Sequence, residues 1–342
     1  MINETQDILK IPELPVIEIV DDLVQVYKEF MVIRAALKID LFTWLSENGP
    51  STPEQIAEGT GIKPEYMPSL LSMLYYLDMV RRKEDSYYIS PAAGLNFIRT
   101  SMYYQGDYIL NLPNDESPWQ DIETFLTKPD EKNTFDPVST ESVRGRANHD
   151  LRGTVQNVTK TLMSWPQFSN ARTLIEMNGG HGLYAIAACQ NNPELSAVVL
   201  CGSLDTGPAE ENISKFGMNE RIKVIPGDIL SYKGDKSDIV LLSHSLYPYK
   251  ENLDEILKGI AYVLNPDGLF LSNHWFAAPT GGTGSQGLYE LELAMHNRYH
   301  LLPDKELFES LCEKNNLKLL QIGITRSSYG QSTIHMAERK VE

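Results

Sequence analysis

The stretch Thr173-Leu-Ile-Glu-Met-Asn-Gly-Gly-His-Gly182 decides the fold of this chain. Its first half is a short apolar run of strand type, and its second half is a cluster of small residues that lets the backbone turn sharply and approach a ligand. A helical pattern then runs from Gly182 to Gln190, after which the alternation repeats. Ala197–Leu200 reads as a strand, Pro208–Phe216 as a helix, Ile222–Ile225 and Asp238–Ser243 as strands, Asn252–Leu264 as a helix and Gly268–Ser272 as a strand. Such alternation predicts right-handed crossovers and a parallel sheet covered on both faces, whose ligands bind beyond the carboxyl ends of the strands.

Upstream the pattern changes. From Ile17 to Leu45 apolar residues recur at three- and four-residue steps, as in helices with one buried face. Ser51 or Thr52 is placed to cap a helix with Pro53 in its first turn, Lys63–Leu77 reads as another helix, and Met79–Ile89 reads as a hairpin turning at Glu84-Asp85-Ser86. Helix, turn, helix, hairpin is the order of a winged helix. The apolar surplus of the opening helices suggests a dimer interface. Residues 94–148 mix Tyr-rich pieces with Pro, Asp and Asn and read as connecting helices and loops, and a polar helix runs from Leu151 to Met163. The expected division is a winged-helix-like domain over 1–105, a connection over 106–165 and a Rossmann-like domain over 166–342.

Composition bounds the function. With 342 residues, 42% of them hydrophobic, the chain has material for two cores. A net charge of −16 opposes binding to nucleic-acid phosphates and to anionic lipid. No run of about eighteen apolar residues is present, and the N-terminus lacks a signal pattern, so the expectation is a cytoplasmic protein with neither nucleic acid nor membrane as partner. The three cysteines, Cys189, Cys201 and Cys312, support neither a disulfide framework nor a metal site.

A second motif strengthens the first. In Ile225-Pro-Gly-Asp228-Ile-Leu230 an acidic residue stands just beyond a later strand, on the ligand-facing edge. Asp228 there either accepts hydrogen bonds from an adenine amino group or caps its own turn. With these two motifs the chain resembles the bacterial and plant O-methyltransferases that join a winged-helix-like dimerisation domain to a class I methyltransferase domain. Glu176 through Gly182 resembles the family's Asp-Val-Gly-Gly-Gly-His-Gly, Gly227-Asp228-Ile229-Leu230 its Gly-Asp-Phe-Phe, Leu241-Leu-Ser-His244 its Leu-Leu-Ser-His, and Asn265-Pro-Asp-Gly its Pro-Gly-Gly turn. The resemblance implies a homodimer and an S-adenosylmethionine cofactor lying across Gly180 and Gly182. The cofactor's adenine would lie near Asp228 and Ile229, with Glu176, Asn178, Cys201 and Ser243 completing its site. It also implies a substrate helix that presents Met295, His296 and Tyr299.

Three departures from the family bear on the chemistry. Asn178 replaces the first glycine of the turn; Asn tolerates left-handed backbone better than most residues. Cys201 falls where the family places the acid that holds the ribose hydroxyls, leaving Asp205 of the same loop as a substitute. Tyr247-Pro-Tyr249 falls on the family's His-Asp-Trp, whose histidine takes the proton of the hydroxyl being methylated. A phenol of ordinary pKa near 10 is a poor base at neutral pH. The expectation is therefore transfer of a methyl group to a small molecule through a nucleophile that needs little base, a thioether or a neutral amine.

Two other readings stay open: a cofactor-retaining enzyme that does not methylate, of cyclase or hydroxylase type, and a non-catalytic dimeric binding protein. Candidate replacement bases are His274, at the end of a core strand, and His296. His274 has an alternative role in satisfying loop backbone. Arg144, Arg146 and Arg152 cluster before the cofactor domain. They form either a solvated face or a clamp for a substrate carboxylate.

Overall fold

The computed structural model describes residues 18–112, 119–127, 140–201, 206–276, 287–288, 291, 294–295, 304–327 and 330–340. Its contacts divide the chain into two compact units, Met1–Gly106 and Asp107–Glu342.

In the first unit α1 (Glu18–Lys38), α2 (Leu41–Asn48), α3 (Pro53–Thr60) and α4 (Met67–Tyr76) precede the hairpin β1 (Val80–Lys83) and β2 (Ser86–Ile89), and α5 (Pro91–Phe97) comes after it. Thr52 and Gln55 start α3 with a reciprocal capping box, and Pro53 occupies the first turn. The hairpin pairs Val80 with Ile89 and Lys83 with Ser86, turning through Glu84 at φ 54°. Phe42, Leu45, Ile56, Leu71, Leu74 and Val80 are buried and form the core of this unit. The amino-terminal half of α1 departs from the expected buried face. Ile19, Leu23 and Tyr27 are 68%, 66% and 65% exposed, an apolar face that its own unit leaves uncovered.

The second unit holds a sheet of seven strands among the described residues: β3 (Thr173–Met177), β4 (Ser196–Cys201), β5 (Ile222–Pro226), β6 (Ser237–Ser243), β7 (Leu264–His274), β8 (Leu317–Ser327) and β9 (Gly330–Arg339). Their order is β5-β4-β3-β6-β7-β9-β8. The first five are parallel and β9 is antiparallel to both its neighbours. The chain runs outward from β3 to β5 and returns to place β6 beside β3, so the topological switch point lies between the carboxyl ends of β3 and β6.

Period-two alternation sends Leu174, Val199 and Leu241 to one face, under α9 (Thr154–Met163), α10 (Leu183–Asn191) and α11 (Thr206–Lys215). Ile175, Val240 and Leu242 face the other side, under α12 (Leu253–Val263) and α13 (Lys305–Lys314). Asp238 fixes β6 against β3: its Oδ2 accepts the backbone N–H groups of Arg172 and Thr173, at 2.8 and 3.1 Å.

The segment 106–165, expected as a connection, contributes to this second core. It contains α6 (Gly106–Asn111), α7 (Ile122–Thr127), α8 (Thr140–Asp150) and α9, and Val155, Val158 and Leu162 of α9 are buried in the first face's cluster. Among the described residues no helix is long and apolar enough to cross a membrane.

Candidate cofactor and active site

The turn between β3 and α10 has the backbone that its sequence demands. Asn178, Gly180 and Gly182 stand at φ 57°, 41° and 68°, in the left-handed region. Gly179 is required for a different reason: a Cβ there would lie 2.8 Å from the Glu176 carboxyl group folded over it. Glu176 is buried, and its Oε2 accepts the Ala185 N–H at 2.7 Å, capping the first turn of α10. Burial pushes its pKa up to about 8 against the pull of that N–H, with the nearby Asp150 charge adding to the rise. Oε1 is buried and has no hydrogen-bond partner among the described residues.

His181 inside the same turn has a defined tautomer. Its Nδ1 accepts the Leu183 N–H at 3.2 Å, so the proton is on Nε2, which lies 3.2 Å from Asp150 Oδ2. Tyr184 donates its hydroxyl to the same oxygen at 3.2 Å and accepts from Ser243 Oγ at 3.0 Å. From Ser243 the chain of hydrogen bonds continues through Asn273 Nδ2 at 3.0 Å to His244, whose Nε2 lies 3.2 Å from that amide and 3.3 Å from Ser332 Oγ. His244 Nδ1 lies 2.7 Å from the Tyr247 hydroxyl, which also accepts the Trp275 N–H at 3.0 Å. One connected network thus joins α8, the glycine-rich turn, β6 and β7 at the switch point.

Asp150 is its ionised member: despite burial, which opposes the charge, His149 and His181 hold its pKa well below the usual carboxylate range. Burial lowers His244 to about 4, with Asp150 opposing the shift and Arg146 and His149 adding to it, so its imidazole is neutral near pH 7. Tyr184 is raised well above the phenol range, chiefly by burial, and stays protonated.

This network bears on two candidate catalytic residues. Tyr247 is 1% exposed and its oxygen is a post for Trp275 and His244, so it is not presented to a substrate as a base. His274 is fully buried. Its Nε2 accepts from the backbones of Ser245 and Leu246 at 3.2 and 3.3 Å, its Nδ1 lies 2.9 Å from Ser272 Oγ, and burial holds its pKa well below 6.5. It has the backbone-satisfying role, not the catalytic one.

The arginine clamp is also revised. Arg144 spends its fork on Glu211 of α11, with Nε and Nη2 at 3.1 and 2.6 Å from the carboxylate oxygens, and Arg146 is exposed. Met295 is buried, whereas His296, Tyr299 and Asp205 lie outside the described residues.

At the neighbouring strand ends Cys201 closes β4, buried, with its carbonyl accepting the Gly227 N–H at 2.7 Å. Asp228 has the capping role. Oδ1 caps the Leu230 N–H at 2.7 Å, while the side chain is exposed and its Oδ2 meets only the Tyr249 hydroxyl, at 3.4 Å, among the described residues. Ile229 beside it is buried.

Residues 21–96 match the O-methyltransferase dimerisation domain. As a whole the chain shares the fold of solved methyltransferases. Over 96% of its length it superposes on 99% of an O-methyltransferase family protein from Burkholderia thailandensis, with a TM-score of 0.78 at 17% identity. Human N-acetylserotonin methyltransferase in complex with S-adenosylmethionine matches with a TM-score of 0.74 at 15% identity, covering 99% of both chains. In sequence, 67% of the chain is 24% identical to 69% of the bacteriochlorophyllide d C-20 methyltransferase of Chlorobaculum tepidum.

The sequence pattern does not single out Asp150, His181, Tyr184, His244 or Asn273. His181 and His244 lie inside motifs whose signal is the glycine turn and the strand end. Polar side chains at the closing positions of buried strands, Ser243-His244 and Asn273-His274, were the signal available. Asp150 had none, because its partners lie 31 and 34 residues away.

Proposed function

We propose that this protein is an S-adenosylmethionine-dependent methyltransferase of a small molecule. The observation that carries the reading is the turn at Asn178–Gly182: its left-handed residues open the backbone at the switch point of the sheet, with exposed Asp228 on the same edge. These residues fit the cofactor. Glu176 offers a buried, unpartnered Oε1 beside the turn, Asp228 offers a carboxylate oxygen for an adenine amino group, and Ile229 offers an apolar wall. Cys201 departs from the fit as a ribose contact, since a thiol is a weak acceptor. When bound, the cofactor supplies an electrophilic methyl group on a sulfonium. The human relative whose structure contains that cofactor supports the assignment.

The chain's own residues favour an acceptor that needs no strong base. Both ring nitrogens of His244 and of His274 face protein groups, the Tyr247 hydroxyl is enclosed, and both imidazoles are neutral near pH 7. A neutral amine, a thioether or an already ionised oxygen or carbon meets that condition, with approach geometry as the site's contribution. That the relatives include both O- and C-methyltransferases by name is in keeping with an acceptor atom set by the pocket. The helices of the first unit, followed by the hairpin, have winged-helix order, and the apolar face of α1 is the surface we assign to a homodimer.

Calorimetric titration with S-adenosylmethionine and S-adenosylhomocysteine tests the cofactor. Micromolar binding abolished by Asp228→Ala is the expected result, and no binding to the intact protein would remove the reading. Formation of S-adenosylhomocysteine on turnover separates methyl transfer from a cofactor-retaining reaction that leaves the methyl group in place.

A further inference from the structure

Asp150 is a charge in a costly place. It is the last residue of α8, where the helix's partial negative charge repels a carboxylate. Its side chain is only 20% exposed, and among the described residues its ion-pair neighbours are histidines alone, with no Lys or Arg. Taking an ionised carboxylate largely out of water without a full countercharge is unfavourable. Yet the surrounding groups keep it ionised, and among the described residues its two oxygens are unequally engaged. Oδ2 carries Tyr184 and His181, whereas Oδ1 has, among the described residues, His149 Nδ1 at the longer distance of 3.9 Å. Its anchors place it. His181 belongs to the glycine-rich turn, and Tyr184 is tied to Ser243 at the carboxyl end of β6, so Asp150 stands at the crevice where ligands of this sheet type bind.

We propose that Asp150 Oδ1 is the seat of a protonated nitrogen on a ligand in this crevice. The inference rests on the methyltransferase reading, which allows two sources of that ammonium: the amino-acid end of the cofactor, or an amine on the methyl acceptor. It is opposite in sign to the carboxylate clamp that is one of the two readings of the arginines. Among the described residues the groups acting on Asp150 are His149 on its own helix, His181 and Tyr184 from the turn and α10, Glu176 from β3 and His244 from β6, while Arg146 of the same helix acts on His244. Arg146 itself is exposed.

The test is calorimetric and needs no turnover. The intact protein and Asp150→Asn, which keeps an acceptor for Tyr184, are titrated with S-adenosylhomocysteine and with 5′-methylthioadenosine, which has the nucleoside and thioether but no ammonium. If the cofactor is the source, the variant loses about 10- to 100-fold in affinity for S-adenosylhomocysteine and nothing for 5′-methylthioadenosine. If the acceptor is the source, both nucleosides bind unchanged, and phenethylammonium titrated onto the S-adenosylhomocysteine complex binds the intact protein but not the variant. Equal binding of all three probes to both proteins overturns the inference while leaving the methyltransferase reading standing. Failure of the intact protein to bind either nucleoside overturns both. Should Asp150→Asn fail to fold, the intact protein is titrated with the des-amino analogue of S-adenosylhomocysteine and with phenethylammonium. Full affinity for that analogue together with no binding of phenethylammonium counts against the seat.

Discussion

Tyr247 shows what one position can and cannot reveal. The sequence places it on the family's base, and chemistry makes a phenol a poor one. Only the structure shows the hydroxyl enclosed between Trp275 N–H and His244 Nδ1. The two accounts predict different behaviour for Tyr247→Phe. As a post, the hydroxyl's loss leaves a buried N–H without its acceptor and costs about 1–3 kcal/mol, read as a lower midpoint in urea unfolding. As a base, its loss would abolish turnover while leaving stability nearly unchanged. The expected result is the first, with methyl transfer retained in the folded variant. For His274 the sequence offers both the catalytic and the backbone-satisfying role and for Asn273 it offers none, since whether a strand-end polar side chain faces a cavity or its neighbours depends on residues far along the chain.

At the scale of elements, period-two and period-3.6 patterns made most of the second unit readable: β3 to β7 and their crossover helices stand within a few residues of the expected positions. The short helices α6, α7 and α8 escaped because each offers at most a turn or two of core contact. In α8, Thr140–Asp150, Val143 and Ala147 are the buried apolar residues. The joints between the readable pieces also escape pattern reading. Arg221, at the entry to β5, donates to the carbonyls of Cys189, Asn192 and Pro193 at 2.6, 3.0 and 2.8 Å, closing the loop between α10 and β4. Hydrogen bonds from a charged donor to partly buried carbonyls are worth about 1.5–3 kcal/mol each before the losses of immobilisation. Arg221→Met therefore lowers stability by about 2–3 kcal/mol in denaturant unfolding, far more than a surface arginine. A change within ±0.5 kcal/mol would show the loop to be closed by other contacts.

The molecule as a whole is expected to pair through α1, and Leu23→Glu with Tyr27→Glu should shift its sedimentation from dimer to monomer. Its pH dependence arises from buried groups pulling in opposite directions. His244 is lowered to about 4, and His274 and His335 are also lowered, each mainly by burial. The unfolded chain binds these protons near pH 6.5 and the folded one does not, so their contribution is present above 6.5 and is lost as pH falls toward 4. Glu176 acts the other way. Raised from 4.5 to about 8, it holds a proton in the folded state that the unfolded chain releases, so stability falls as pH climbs through that interval. The net charge of −16 adds self-repulsion on the same alkaline side. Unfolding midpoints measured from pH 5 to 9 should therefore rise to a maximum near pH 6–7 and then decline. Glu176→Gln, which cannot ionise, should flatten the decline while leaving the acid limb to the histidines. An alkaline limb equally steep in that variant would assign the fall to surface repulsion alone and remove the protonated carboxyl from the cofactor turn.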